Sequence, residues 1–122
     1  MRILSIGTTK YTTVTAVDEP SRGGACHNYE IVSKREHPEF KKPCFRDVLS
    51  FQKGPIKECG LNGIQDEDLI VIIMDRLKGF QSGKYACEEN SEAYVLLGNA
   101  LAALRKRTDV REQRGVEGTH EI

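Results

Sequence analysis

The sequence predicts an α+β fold: a small antiparallel sheet of three or four strands followed by a long antiparallel helical hairpin. Three observations carry this. Residues 1–63 hold short apolar or alternating runs separated by turns rich in Gly and Pro. Residues 66–81 and 87–115 instead repeat apolar side chains at intervals of three and four. Only residues 82–86 join the two periodic stretches, and so short a joint sends the second helix back along the first. A chain of 122 residues without an internal repeat fits one domain, with a sheet portion at 1–63, a hairpin at 64–115 and a tail at 116–122.

Residues 2–7 (RILSIG) form a short apolar run of strand character. Residues 11–17 (YTTVTAV) are rich in β-branched side chains and alternate, with Thr12, Val14 and Ala16 on one side. Residues 18–24 (DEPSRGG) are turn chemistry, and 26–34 (CHNYEIVSK) read as the returning strand of a hairpin. The charged stretch 35–47, with Pro38 and Pro43, reads as a loop, and 48–52 (VLSFQ) as a further short strand. Gly-Pro, Cys-Gly and Asn-Gly steps make 53–63 a connector. Asp66 is placed as the N-cap of the first helix, with Glu67 and Asp68 near the positive end of its dipole. Leu69, Ile73, Leu77 and Phe80 then form its stripe, widened by Ile70, Ile72 and Met74. Ser82-Gly83-Lys84 ends it near Gln81. The second helix begins near Cys87 and stops at Arg114, with Gly115 as the residue that leaves it.

The second helix is the most informative stretch. Ala93, Leu97, Ala100 and Leu104 make an apolar seam, and the same stepping leads on to Arg107, Arg111 and Arg114 and back to Asn90. The expectation is that these arginines continue the buried stripe and face another element, another subunit or an anion. A helix end favours cations in any case, which accounts for Arg114 and in part Arg111. Arginine suits phosphate because its planar fork donates two parallel hydrogen bonds. Phe80, at the end of the first helix, is either the last core residue of the stripe or a platform for a nucleobase. Asn90 lies across the turn, where an amide can read a base or ribose edge. About 30 Å of helix separates Asn90 from Arg111 at ~1.5 Å per residue. One protomer therefore cannot close both ends on one small ligand. If both ends serve one pocket, the helix must pair antiparallel with its copy, giving a two-fold dimer with two composite pockets.

Other chemistry is poorly supported. Lys+Arg and Asp+Glu are equal at 18 each, which argues against a general nucleic-acid binder. Residues 79–85 (GFQSGKY) look like a P-loop, but the spacing is one residue short. Tyr85 also stands where a magnesium-binding hydroxyl belongs, and the segment joins two helices. Lys84 there is a solvated lysine or a phosphate donor. His27, His37 and His120 have no zinc-type spacing to one another or to a cysteine pair, so no metal or cofactor is expected. No nucleophile elbow or paired catalytic motif is present, so no catalytic residue is assigned. Cys26, Cys44, Cys59 and Cys87 form no C-x-x-C pair. The first ten residues lack the apolar core of a signal peptide, and no run is long enough to span a membrane. The expected setting is the cytoplasm, with reduced thiols.

Three stretches resemble phage proteins of the Thoeris anti-defence family: FQKGPIKECGLNG (51–63), DRLKGFQSGKYACEEN (75–90) and RTDVREQRGVEGTH (107–120). That family is part of a broader group sharing a helical-hairpin domain with phage anti-CBASS sponges. The resemblance covers residues 51–120 and is weak over the N-terminal strands. It implies a sponge of the host bacterial cytoplasm that holds the cyclic ADP-ribose isomer of Thoeris immunity (gcADPR) intact, at a dimer interface. By the motif match, Phe80 stacks on adenine, Asn90 hydrogen-bonds the ligand, and Arg107, Arg111 and Arg114 are candidates for the diphosphate. Tyr85 and Cys87 flank the turn and either line the pocket or simply pack. Related hexamers, trimers of dimers, take cyclic di- or trinucleotides at separate sites, for which the turn Lys53, Gly54, Pro55, Ile56 and Lys57 is the candidate, the alternative being a plain solvated turn. Two other classes stay open: a phosphodiesterase of the same signal, and a nucleic-acid or protein-interaction module using the same arginines.

Overall fold

The computed structural model describes residues 1–7, 10–34 and 45–122, so most of the expected loop at 35–47, with His37, Pro38, Pro43 and Cys44, lies outside the described residues. Two compact units divide the chain. One comprises Met1–Lys53 with Asn62–Ile64, and the other Gly54–Leu61 with Gln65–Ile122.

The first unit is an antiparallel sheet of β1 (Arg2–Ile3), β2 (Thr12–Ala16), β3 (Asn28–Ser33) and β4 (Arg46–Ser50), in that spatial order. The alternation expected for β2 holds. Val14 lies opposite Ile31 and Ala16 opposite Tyr29, so these residues share one face, joined by Leu49 opposite Tyr29. Tyr29 meets Phe51 edge-on, with ring centroids 5.6 Å apart. Ala16 and Cys26 are the buried apolar residues of this unit among those described.

Two strand boundaries differ from expectation. The run at 2–7 pairs only through Arg2 and Ile3, with Leu4 N donating to Val14 O at 2.8 Å. Gly7 then takes a positive φ of 58°, which turns the chain out of the sheet. The last strand begins at Arg46 rather than Val48. Its charged start hides it from a reading of apolar runs, yet Arg46 pairs with Glu30 on β3 at 2.6 Å. Phe51 then leaves the ladder to form a single parallel bridge with Ile64.

The β2–β3 loop is closed by Asp18. Its carboxylate accepts the backbone N–H of Asn28 at 3.0 Å and that of His27 at 3.0–3.1 Å. The Asn28 amide is the main cause holding the Asp18 carboxyl below the ordinary carboxylate range; desolvation opposes it, and the His27 amide adds to the lowering. A group whose pKa is depressed on folding stabilises the folded state above its unfolded pKa, and that contribution is lost as pH falls through the folded value. Asp18→Asn should therefore lower Tm at neutral pH, with the gap to wild type closing below about pH 4. Thermal melts of both proteins across pH check this; a gap that persists undiminished at acid pH contradicts it.

The second unit holds α1 (Ile56–Cys59), α2 (Asp66–Gln81) and α3 (Glu88–Gln113). The connector expected at 53–63 thus contains one helical turn, initiated by Pro55. The cap of α2 is Gln65, not Asp66. Gln65 and Asp68 form a reciprocal capping box, in which Asp68 Oδ2 accepts Gln65 N at 2.9 Å. Asp66 instead joins Glu67 and Asp68 in the first turn, where negative charge meets the helix dipole. Helix α3 starts after Cys87 and ends at Arg114, and Gly115 leaves it with φ 73°.

Helices α2 and α3 pack together as a hairpin. The covered side of α2 runs through Ile70, Met74 and Leu77, and that of α3 through Leu97, Gly98, Leu101 and Leu104. A Cβ on Gly98 would meet Met74 Cε at 3.6 Å, an ordinary contact, so the thioether lies close over the α3 backbone. Neither helix buries a single residue completely. Ile73 and Phe80, expected in the α2 stripe, are exposed, as are Val71, Ile72, Val95 and Leu96. The core stripe of α2 is thus rotated from the expected one, toward Ile70 and Met74. On α3, Ala100 of the expected seam is likewise exposed, and Leu101 takes its place on the covered side. No helix among the described residues is long and apolar enough to cross a membrane.

Candidate functional site

The turn between α2 and α3 is a compact, hydrogen-bonded joint. Ser82 Oγ donates to Gly79 O at 2.6 Å, Ala86 N to Gly83 O at 3.2 Å, and Cys87 N to Gln81 Oε1 at 2.9 Å. This last bond ties the start of α3 to the end of α2, so Cys87 acts through its backbone; its thiol is free and exposed. Phe80 stands at the end of α2 and is 43% exposed. The guanidinium carbon of Arg76, one turn earlier, lies 5.7 Å from the ring centroid. Lys84 Nζ sits 5.6 Å from the centroid of the exposed Tyr85 ring. Asn90 is half-buried in the first turn of α3. The turn therefore gathers Phe80, Lys84, Tyr85 and Asn90 at one end of the hairpin, with two aromatic faces and two nearby cations. Arg76 escapes a reading of apolar stripes, although its i, i+4 spacing to Phe80 is a signal for it.

The arginines at the other end divide into two kinds. Arg111 is half-buried and fully engaged by the tail. Its Nε donates to Glu117 at 3.1 Å, Nη1 to Glu121 O at 2.7 Å, and Nη2 to Val116 O at 2.9 Å and Thr119 O at 3.3 Å. Arg114 Nη1 donates to Ile122 O at 2.9 Å. Arg107 is exposed and makes no ion pair or side-chain hydrogen bond among the described residues. The arginines consequently do not continue the buried stripe as a single ladder. That stripe passes from Leu104 through Thr108 to Arg111, while Arg107 and Arg114 turn outward.

Arg107, Arg111 and Arg114 nonetheless line one groove, about 650 Å³ in volume, with Ala103, Lys106, Val110 and Ile122. Lys106 adds a fourth cation that the four-three stepping passes over. The groove offers basic donors over an apolar floor, the composition that suits an anion carrying a flat or apolar part. Within one chain it does not include Phe80 or Asn90, since Asn90 and Arg111 are about 30 Å apart along α3 at ~1.5 Å per residue.

The candidate second-site turn is divided between the two units. Lys53 N donates to Asn62 Oδ1 at 2.8 Å and Lys53 O accepts from Asn62 Nδ2 at 2.8 Å, which closes that loop on itself. Gly54 takes a positive φ of 83°, and Pro55 is buried at the start of α1. Lys57 N donates to Gly118 O at 3.1 Å, and His120 Nε2 lies 3.5 Å from Glu58 Oε2, so the tail is also tied to α1.

Comparison with known proteins identifies relatives of this chain. A curated relative, "Thoeris anti-defense 1" of Bacillus phage SBSphiJ7, is 52% identical over 74 residues, covering 61% of this chain. The aligned stretch spans about half the relative's length, 52%. A family model described as the Acb2/Tad1 hairpin domain matches residues 46–109, just over half of the 122-residue chain and nearly all of the α2–α3 pair. This protein belongs to the Acb2/Tad1 hairpin-domain family.

Proposed function

We propose that this protein is a phage anti-defence sponge that binds the cyclic ADP-ribose isomer of Thoeris immunity and withholds it, unaltered, from its effector. The observation that carries the reading is the division of binding chemistry between the ends of one hairpin. An exposed aromatic ring and an amide stand at the α2–α3 turn, and an unengaged guanidinium, Arg107, stands in a basic groove at the far end of α3. A cyclic dinucleotide-like ligand presents a base to stack and a diphosphate to neutralise. The two halves meet if α3 of a second copy runs antiparallel to the first, giving two equivalent pockets per pair. Arg107 is the foremost diphosphate ligand, because Arg111 must first release Glu117 and the tail carbonyls before it can accept one. Three such pairs joined as a hexamer, with a further cyclic-oligonucleotide site at residues 53–57, extend the same proposal. The family membership and the relative's anti-defence name support the phage setting, and with it action in the host cytoplasm.

A sponge needs ground-state affinity, and transition-state stabilisation adds nothing to it. The test is to saturate the protein with the signal, remove unbound ligand, heat-denature, and analyse what is released. Intact, effector-activating ligand in stoichiometric amount supports sequestration. Linearised or hydrolysed products support a phosphodiesterase instead.

A further inference from the structure

Helix α3 is followed by Gly-Val-Glu-Gly-Thr, residues 115–119, and the two glycines decide where the chain goes next. Gly115 takes φ 73° and Gly118 φ 79°, a backbone that most side chains avoid. The first of these turns brings Val116 N back to donate to Arg111 O at 3.1 Å, so the tail folds against the last turn of the helix. Glu117 is thereby delivered to the guanidinium of Arg111. Gly118 is held from the other side. Lys57 N donates to Gly118 O at 3.1 Å, and a Cβ on Gly118 would stand 3.1 Å from Lys57 Cγ, tighter than ordinary van der Waals contact. The tail is thus moored to α1 at Gly118, and Glu117 stands just before the mooring.

Of the acceptors around Arg111, Glu117 alone is charged; the others are the carbonyls of Val116, Thr119 and Glu121. Glu117 is also the one acceptor that can leave by side-chain rotation. The carbonyls move only with the backbone, which Lys57 holds at Gly118. Lys106 and Arg107, in the same groove, have no ion-pair partner among the described residues. The resting groove therefore sets one neutralised guanidinium beside two open cations. An anion with a single charged group is served by Lys106 and Arg107 and leaves the tail alone. An anion with two adjacent charged groups reaches further. Side chains four apart on a helix start about 5–6 Å from each other, so one group on Arg107 brings the other to Arg111. There it meets a carboxylate already in place.

We propose that Glu117 is an autoinhibitory competitor built into the chain, which occupies Arg111 as a phosphate would and lowers the affinity of the groove for diphosphates. A carboxylate and a phosphate oxygen make the same kind of charge-assisted bond to a guanidinium, so one can stand in for the other. Because the competitor is tethered, it is present at a fixed effective concentration whatever the protein concentration. It therefore weakens by a constant factor every ligand that needs Arg111, and leaves unaffected those that stop at Lys106 and Arg107. The groove consequently offers less open positive charge at rest than its four cations, Lys106, Arg107, Arg111 and Arg114, would supply. The contact stands on α3 and the tail alone; its bearing on the cyclic signal rests on the proposed function.

The test is titration with inorganic pyrophosphate and with orthophosphate, followed by calorimetry and by the arginine Nε–H resonances in NMR. In wild type, pyrophosphate should shift the Arg111 Nε–H and the Glu117 carboxylate signals together. Glu117→Gln should bind pyrophosphate roughly threefold to tenfold tighter, the range for a partly exposed ion pair, and orthophosphate little changed. Glu117→Asp keeps the charge but draws it back by one methylene, and should tighten pyrophosphate as well. Glu121→Gln is the control for net charge. It removes a tail carboxylate while the backbone carbonyl that Arg111 uses remains, and should stay within about twofold of wild type. Protection of the Lys57 amide from exchange checks that the tail stays moored. Weaker pyrophosphate binding by Glu117→Gln makes Glu117 a positioning residue for Arg111 and overturns the proposal. Unchanged binding overturns it too, as does equal tightening in Glu121→Gln. A wild type that takes no pyrophosphate, or takes it with Arg111 Nε–H unmoved, has the same consequence. If pyrophosphate behaves as stated while the cyclic signal does not bind, the competitor stands and the sponge reading fails.

Discussion

On the proposed function, Phe80→Ala is expected to lower affinity for the cyclic ADP-ribose signal by roughly tenfold to a hundredfold, with the circular dichroism spectrum and any self-association as in wild type. Stacking of a base on an aromatic ring contributes about 1–3 kcal/mol. The ring can be removed without collapse because it is 43% exposed and lies outside the stripe through which α2 packs on α3. Arg107→Ala is expected to cost a similar amount, since a charge-assisted hydrogen bond contributes about 1.5–3 kcal/mol. The two variants differ in how they combine. If Phe80 and Arg107 of different copies build one pocket, a mixed dimer of Phe80→Ala with Arg107→Ala keeps one intact pocket and one doubly damaged one. Titration calorimetry on the mixed dimer then shows half the wild-type stoichiometry at wild-type affinity. Uniformly weakened sites place both residues in the same chain's pocket, and unchanged binding by both single variants removes the site assignment altogether. Arg111→Ala is the informative contrast, because it also frees the tail from four acceptor contacts and so combines a binding effect with a loosening of residues 116–122.

Gly63→Ala has the largest expected effect on stability. A Cβ at this position would sit 2.6 Å from the Phe51 carbonyl oxygen and 2.7 Å from Gln52 N, with the Phe51 carbonyl carbon nearer still. These are backbone atoms and cannot rotate away as a side chain can. They also belong to the segment where Gln52 N donates to Ile64 O at 2.9 Å and Ile64 N to Ser50 O at 3.0 Å. The added methyl must shift 62–64 away from Phe51 and Gln52, which strains both bonds. Overpacking of this kind costs about 1–3 kcal/mol, which corresponds to a fall in Tm of roughly 5–15 °C for a small unit. Calorimetry of the variant checks it. A Tm within error of wild type would mean the segment yields without loss.

Sequence periodicity reveals the hairpin and its turn because residues 66–81 and 87–115 obey a helical repeat over many turns, and a repeat of that length is hard to mimic. Gly115 is readable as the helix stop for a local reason: the left-handed backbone there excludes most other residues. The arginine cluster is legible in the sequence, but a single buried ladder is not what it forms. Stepping alternately by four and three averages 3.5 residues per turn, while the helix makes 3.6, so the seam drifts by about 20° per heptad. From Ala93 to Arg114 the drift reaches about 60°, enough to carry Arg107 and Arg114 from the packed side to the open one. The same stepping skips Lys106 and Thr108. The cap at Gln65 escapes because Asp is the commoner cap, and the box with Asp68 depends on which residue turns extended. The clasp of Arg111 by the tail is not visible in sequence at all, since three of its four acceptors are backbone carbonyls.

Neither α2 nor α3 seals any side chain wholly from water, although together they are the longest elements of the chain. Such a pair has little cohesive energy of its own. If its remaining apolar surface is covered by another copy, the helices melt by a reaction whose equilibrium includes the protein concentration, and the folded state becomes a property of the population of molecules. The protein would then grow sturdier as it accumulates, which would suit the proposed sponge, since a binder acting by stoichiometry must be abundant.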